Sequence, residues 1–214
     1  MDRRRLLLGL TLAALPQLAR AEGKPPVPLN KVFGFLDKYL ALPPAERNRF
    51  TLSYRFMTGG QPAGALKGVV IEADGRRTPF ALGPDGRTKT LPTLAQLNSA
   101  TLKMDVPPGT KMGVSLEVLP ILPLSQELSA RDIELSIAQA NRGISAASGM
   151  LSFAAPKLTG VDFIGAGSGV VRFADGKEAP LPLDKGAPYY DPKLAKGAVA
   201  VILARPPSRV EFKG

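Results

Sequence analysis

Cysteine, histidine and tryptophan are all absent from this chain of 214 residues. Without cysteine the fold has no disulfides, so its stability depends on a hydrophobic core. Without histidine it lacks the side chain best suited to proton transfer near neutral pH. That absence excludes Ser-His and Cys-His catalysis, the usual zinc sites and histidine-held haem. The lack of tryptophan removes the stacking surface of many sugar-binding modules, although tyrosine can take its place. We therefore expect no metal and no cofactor.

Positive charge is in excess, with 28 basic and 18 acidic residues in the whole chain. Four of the basic and one of the acidic residues lie within residues 1–21, so the remainder carries a net charge of +7. Such a charge favours anionic partners. The basic residues form no run of five, and aromatic residues make up only 6% of the chain. Specific nucleic-acid binding is therefore not expected.

The N-terminal residues have the three parts of a secretory signal. A basic head at residues 1–5 precedes an apolar run at residues 6–18 and a small-x-small cleavage site formed by Ala19 and Ala21. The apolar run is too short for a permanent transmembrane helix. We expect cleavage after Ala21, a mature form without a membrane span, and a periplasmic or secreted protein.

Residues 2–7 read Asp-Arg-Arg-Arg-Leu-Leu. This segment resembles the twin-arginine (Tat) export signal of bacteria, in which two arginines follow a polar residue and precede apolar ones. It departs from the family pattern at Leu6, where phenylalanine is common, and at Leu8, where lysine is common. An ordinary Sec signal with three arginines remains the alternative. The resemblance covers only the signal and implies a bacterial protein that folds before export.

Two segments of the mature chain repeat each other. Residues 68–82 and 169–183 align without a gap at an offset of 101, with eight of fifteen positions identical. The matching positions include Gly68 with Gly169 and Asp74 with Asp175. The alignment predicts two copies of one structural unit.

The pattern of each copy indicates strands. Residues 51–56, 101–106 and 114–118 alternate polar and apolar side chains, and Asp-Gly pairs after residues 73, 84 and 174 are hairpin signals. The fold class predicted is mainly β with a few helices (α+β), as two tandem antiparallel β-sandwich or barrel-like units with a helical linker. The residues expected to be buried are Leu102, Met104 and Val106 in the second of these segments, and Val199, Val201 and Leu203 in a further predicted strand.

Two helices are predicted outside the strands. The first runs from a cap at Asn30 to about Leu40, and the second begins at Ser129 with an apolar stripe. The predicted division of the chain is a signal at 1–21, an extended tether at 22–29, an N-terminal helical segment at 30–48, β copy one at 49–120, a helical linker at 121–152 and β copy two at 153–214.

The candidate binding residues lie at or near predicted turns. Basic side chains there could form a shared cationic rim for phosphate or carboxylate groups, and adjacent tyrosines on a loop could clamp a sugar or a partner chain. These residues are Arg76, Arg77, Arg87, Lys89, Lys177, Tyr189 and Tyr190. Solvated turn residues and simple packing of the loop are the alternatives.

No catalytic motif is recognisable. The glycine-rich segment 165–169 precedes a predicted strand, whereas a phosphate loop precedes a helix. The candidate acids Glu72, Asp162 and Glu178 have no diagnostic spacing. The sequence favours a non-catalytic binding protein of the bacterial envelope, with anionic envelope components or another envelope protein as partners. The alternatives are a carboxylate-dependent hydrolase of envelope glycans and a structural subunit of an envelope assembly.

Overall fold

A computed structural model of the protein describes residues 25–64, 66–107, 109–148 and 157–214. The predicted signal, with Ala19 and Ala21, lies outside these residues. The described chain is mainly strands, paired antiparallel, with four α-helices. This agrees with the predicted mainly-β, sandwich-like α+β class.

The described residues of the first half form seven strands and three α-helices. Its strands are β1 (Val27–Pro28), β2 (Phe50–Thr58), β3 (Gln61–Pro62), β4 (Lys67–Ile71), β5 (Arg77–Ala81), β6 (Thr101–Met104) and β7 (Met112–Pro120). Its helices are α1 (Leu29–Val32), α2 (Leu36–Ala41) and α3 (Leu94–Ser99), with a 3-10 turn at Pro44–Glu46.

The described residues of the second half form eight strands and the longest of the four described helices. Its strands are β8 (Glu127–Ser129), β9 (Gly160–Ile164), β10 (Gly169–Phe173), β11 (Glu178–Pro180), β12 (Leu183–Asp184), β13 (Ala187–Tyr190), β14 (Ala198–Leu203) and β15 (Arg209–Lys213). Helix α4 (Ala130–Ser148) follows β8 directly.

The two halves repeat one strand order. The sheet of the first half runs β1-β6-β4-β5, and that of the second runs β8-β14-β10-β11. In each half a helical segment follows the first strand. The last strand of the half then pairs with the strand that comes after this helical segment: β7 pairs with β2 in the first half, and β15 pairs with β9 in the second. The repeated order agrees with the repeat seen in the sequence and extends beyond its fifteen aligned positions.

The two aligned Asp-Gly pairs form the same turn. The Asp74 Oδ1 accepts a hydrogen bond from the backbone N–H of Arg76 at 2.9 Å, and Asp175 Oδ1 accepts one from Lys177 at 3.1 Å. Glycine follows each aspartate with φ near 80°, at 84° for Gly75 and 82° for Gly176. Only glycine adopts that conformation without strain, so the predicted hairpins are confirmed at both places.

Aligned glycines also occupy equivalent places on β4 and β10. A Cβ on Gly68 would meet the Met104 sulfur, and a Cβ on Gly169 would lie 2.9 Å from the Ile202 carbonyl oxygen. Each glycine therefore lets a neighbouring strand approach closely.

Helix α4 forms as the sequence predicts. Ser129 Oγ accepts the backbone N–H of Asp132 at 3.3 Å, which caps the first turn. Ile133, Ile137 and Ala140 are buried, and α4 packs on strands of both copies. The last residues of the predicted helical linker, 149–152, lie outside the described residues.

The predicted N-terminal helix is wrong in its continuity and its start. The helical region begins at Leu29 after Pro28, not at Asn30, and breaks before Phe35, which has φ of 66°. The hydroxyl of Tyr54 donates a hydrogen bond to the Gly34 carbonyl at 2.6 Å. Because the helix is interrupted there, this carbonyl has no hydrogen bond within a helix, and Tyr54 supplies its partner.

Two strand expectations also need correction. Five of the six expected core residues are buried, but Val199 is 48% exposed because it is the extra residue of a β-bulge between β10 and β14. Residues 114–118 do form a strand, yet Val114 and Leu116 are 38% and 39% exposed. They lie in β7, an edge strand of the three-stranded sheet β3-β2-β7.

Candidate functional site

The predicted cationic rim is not assembled as one cluster. Arg76 pairs with Glu72, and Lys177 pairs with Asp175 at 2.8 Å within its own turn. Arg87 is bound by three carboxylates. Arg77 and Lys89 are exposed, and neither forms an ion pair with a described residue.

Arg87 lies at the junction of the two copies. Its Nη1 is 2.6 Å from Asp85 Oδ2, its Nη2 is 2.6 Å from Glu117 Oε2, and the same Nη2 is 3.4 Å from Glu211 Oε1. Glu117 belongs to β7 and Glu211 to β15, the equivalent strands of the two copies. Burial opposes the charge of Arg87, but its hydrogen bonds to Asp85 and Glu117 raise its pKa. Arg87 therefore makes a charged contact between the two copies.

A groove of about 310 Å³ runs along this junction. Apolar side chains of β7, β15, α4 and the segment before β9 line it together with the two junction glutamates. The lining residues are Leu116, Glu117, Val118, Leu119, Ile144, Leu158, Glu211 and Phe212. Both glutamates are bound by Arg87. The polar lining of the groove is therefore already paired within the protein.

Polar side chains cross the open face of sheet β12-β13-β9-β15. Tyr189, Asp162 and Glu211 are direct cross-strand neighbours on β13, β9 and β15. Asp162 Oδ1 is buried and has no hydrogen-bond partner among the described residues. Burial raises the pKa of Asp162, against the attraction of Lys213. Lys213 itself is bound by Asp184, which raises the pKa of that lysine.

The two tyrosines lie on strand β13 and not on a loop, which corrects the expected position. Tyr190 is fully buried, and its hydroxyl donates to Glu134 Oε1 at 2.8 Å. Tyr189 faces the opposite side of the sheet, with the Lys213 ammonium 4.6 Å from its ring centroid. Successive side chains of a strand point to opposite faces, so the pair does not form one clamp.

The three candidate acids lie on three different sheets. Glu72 follows β4, Asp162 is in β9 and Glu178 is in β11. The hydrogen bond from Arg76 lowers the pKa of Glu72, and the hydrogen bond from Gln96 lowers it further. Glu178 is bound by Arg172 at 3.0 Å. The structure does not bring these three carboxyls together as a catalytic pair.

The open face of the first-half sheet carries cations without ion-pair partners. Gly68, Val70, Leu102 and Met104 face the core, which turns Lys67 on β4, Lys103 on β6 and Arg77 on β5 outward. None of these three forms an ion pair with a described residue. Asp105 follows β6 opposite Lys67, so the described residues of this face include three cations and one anion. We call it the cationic face.

The matching face of the second-half sheet has the opposite charge balance. Arg172, the one cation among the described residues of this face, lies 3.0 Å from Glu178 and 3.9 Å from Glu127. Charge differs between the faces at equivalent places. For example, Glu178 aligns with Arg77, and Ile202 takes the place opposite Val170 that Lys103 takes opposite Val69. The scaffold repeats while the charge of its open face does not.

The sequence reasoning found Arg77 but missed Lys67 and Lys103. Alternation was the available signal for Lys103, because predicted core positions at Leu102 and Met104 put it on the outer face. Lys67 precedes the aligned segment by one residue and has no counterpart charge in Ser168.

Within the described residues no group of three acidic side chains is placed to hold a metal ion. No helix of the described ranges has both the length and the apolar character that a membrane span needs. Comparisons of the chain with protein-family models, with curated proteins and with solved structures find no match.

Proposed function

We infer that this protein is an exported, non-catalytic binding protein of the bacterial envelope, and that its cationic face binds an anionic envelope component. The observation that carries this inference is the charge difference between two otherwise equivalent faces. Lys67, Arg77 and Lys103 have no ion-pair partners among the described residues, whereas Arg172 of the other face is paired twice. Cations on an open face without ion-pair partners attract anions across a few ångströms of water.

The place of action rests on the resemblance of residues 2–21 to an export signal. The net charge of +7 outside residues 1–21 supports the same partner class. Phospholipid head groups, phosphate-bearing envelope polymers and acidic surfaces of envelope proteins all belong to that class.

One observation favours the hydrolase alternative. Asp162, whose pKa burial raises, lies directly opposite Glu211 on β15. A carboxyl with a raised pKa beside a second carboxyl is the arrangement of a general acid and its partner in glycan hydrolysis. Glu211, however, is engaged by Arg209 at 2.6 Å and by Arg87. Turnover of envelope glycans that Asp162→Asn abolishes would establish this alternative in place of the binding function.

The binding function is tested by exchanging charge on the face. The full chain is measured against a soluble polyphosphate and against vesicles containing phosphatidylglycerol, at low and at physiological salt. The test variant combines Arg77→Glu with Lys103→Gln. The control combines Lys193→Glu with Lys196→Gln, two exposed lysines of the turn before β14, and changes the net charge equally.

We expect binding of at least one anionic material that weakens with salt and is lost in the test variant but not in the control. Equal losses in both variants would mean that net charge, and not this face, is responsible. Absence of binding to every anionic material would overturn the proposed function.

A further inference from the structure

The arrangement of side chains on the cationic face points to one kind of partner within the class proposed above. Its outward positions form a grid on three neighbouring strands. Lys67, Val69 and Ile71 lie along β4, with Lys103 beside Val69 on β6 and Arg77 beside Ile71 on β5. The remaining outward residues of β5 are Pro79 and Ala81, both exposed.

The cations of this grid are separated from one another. Strand spacing and rise place the Cα atoms of Lys67 and Lys103 about 8 Å apart and those of Lys103 and Arg77 about 12 Å apart. A single phosphate is held by donors about 2.8 Å from its oxygens. Three cations at such spacing suit several separate anions better than one.

The three cations also do not lie in one line along a strand. They occupy three different strands and three different rows, around Val69. A stretched linear polyanion meets charges along one line, whereas a planar array of anions meets all three. The open face of a sheet is itself broad, since three strands span about 10 Å across and five residues span about 17 Å along.

Apolar side chains occupy the positions between the charges. Val69 and Ile71 are partly exposed on β4, and Pro79 and Ala81 are exposed on β5. Lysine and arginine keep their charged ends in the head-group region while their aliphatic stems lie along apolar surface. A surface that combines spaced cations with apolar contacts is the kind that lies on an anionic lipid interface.

We propose that the partner of the cationic face is the surface of a bilayer that contains anionic phospholipid. The three cations contact separate head groups, and Val69, Ile71 and Pro79 contact the boundary between head groups and acyl chains. This proposal rests on the proposed function, because it names the partner of the same face. The equivalent face of the second half, with Glu127, Arg172 and Glu178, does not bind the bilayer.

The first experiment is flotation of the full chain with vesicles of phosphatidylcholine, with and without 30% phosphatidylglycerol. Every variant keeps residues 1–24, so any lipid affinity of that segment is common to all. We expect binding only with the anionic lipid. We expect the combination Arg77→Glu with Lys103→Gln to weaken it by at least about tenfold, and Lys193→Glu with Lys196→Gln to weaken it less than about threefold.

The second experiment separates a bilayer from other anions without any change of charge. Val69→Thr with Pro79→Asn removes apolar contact from the face. We expect this pair to weaken vesicle binding severalfold and to leave binding of soluble polyphosphate unchanged. The thermal melting temperature of each variant is measured first, so that a loss of folding is recognised.

The outcomes distinguish this proposal from the one on which it rests. Binding of soluble polyphosphate that requires Arg77 and Lys103, without vesicle binding, overturns the bilayer and leaves the binding function intact. An unchanged vesicle affinity in the Val69→Thr and Pro79→Asn pair also overturns apolar contact with a bilayer. Binding to neither material, or equal loss in test and control charge variants, overturns both.

Discussion

Nη2 of Arg87 lies 3.4 Å from Glu211 Oε1, although 124 residues separate them in the chain. Through this contact a residue of the first copy compensates charge on the last strand of the second. The same guanidinium also binds Glu117 on the last strand of its own copy. One cation therefore binds a glutamate from each copy where β7 and β15 lie side by side.

Loss of this cation should destabilise the junction. We expect Arg87→Met to lower the free energy of unfolding by about 2 kcal/mol, because Glu117 then loses the arginine that binds it while it still lies beside the Glu211 carboxylate. Chemical denaturation measures the change. Arg77→Met, at an exposed arginine without an ion-pair partner among the described residues, should stay within about 0.5 kcal/mol. Equal effects at the two positions would contradict the role of Arg87.

Asp162 should destabilise the fold when it is ionised. Its pKa is raised in the folded protein, so the protonated form is the favoured one. The stability that the protonated Asp162 contributes is fully present below the pKa that this residue has in the unfolded chain. It is lost as the pH rises through the higher pKa that Asp162 has in the folded protein. We expect Asp162→Asn to be more stable than the native chain at neutral pH by about 0.5 kcal/mol, since partial exposure screens the charge.

The advantage of Asp162→Asn should shrink as the pH falls from neutral through the mildly acidic range, because the native aspartate then binds a proton. Denaturation curves of both proteins at matched pH values test this. A difference that is constant with pH would mean that Asp162 is not protonated in that range. Asp184→Asn should behave oppositely and lose stability, because the hydrogen bond from Lys213 lowers the pKa of Asp184.

The bulge in β14 makes two valines of one strand unequal. Val201 is fully buried, whereas Val199 is 48% exposed. Val201→Asp puts an unpaired charge in the core and should cost about 3–5 kcal/mol. Val199→Asp should cost less than about 1 kcal/mol. Thermal melting of the two variants decides this, and a wild-type melting temperature for Val201→Asp would contradict the observed burial.

Gly169 should not tolerate a methyl group. A Cβ there lies 2.9 Å from the Ile202 carbonyl oxygen, a backbone atom that cannot turn aside. We expect Gly169→Ala to cost about 1–3 kcal/mol. At Gly113, also in a strand, a Cβ meets nothing within 4 Å, so Gly113→Ala should be neutral or slightly stabilising. The comparison is made by chemical denaturation, and a neutral Gly169→Ala would contradict the close approach.

The export route is tested in cells. If the arginines of residues 3–5 are read as a Tat signal, their replacement with lysine should leave a precursor in the cytoplasm. Fractionation and immunoblotting measure the precursor and the mature form. A Sec signal would accept lysine, because it needs only a basic head. Unchanged export would therefore exclude the Tat route.

Much of the fold could be predicted from local pattern. The alternation in residues 101–106, the Asp-Gly turns at Gly75 and Gly176 and the stripe on α4 all depend on neighbours within a few residues. The break at Phe35 could not be predicted in the same way. It depends on the buried hydroxyl of Tyr54, a distant residue that takes up the Gly34 carbonyl.

The candidate site was predicted only in part for the same reason. Arg77 was found because it lies beside a recognisable turn. Arg76, Arg87 and Lys177 looked equivalent to it, yet their charges are compensated by carboxylates. Whether a cation is available to a ligand depends on which acids the fold places near it, and two of the three acids at Arg87 come from strands distant in sequence.

The sequence by itself determined the side-chain chemistry that is available and the repetition of the unit. The lack of histidine and cysteine is a property of composition, and identical turns follow from identical local residues. Only the tertiary structure decided which charges remain free. Pairing of β4 with β5 and β6 brings Lys67, Arg77 and Lys103 onto one open face, while Glu127 and Glu178 flank Arg172 on the other. Ion pairing acts over a few ångströms in space, whatever the separation along the chain.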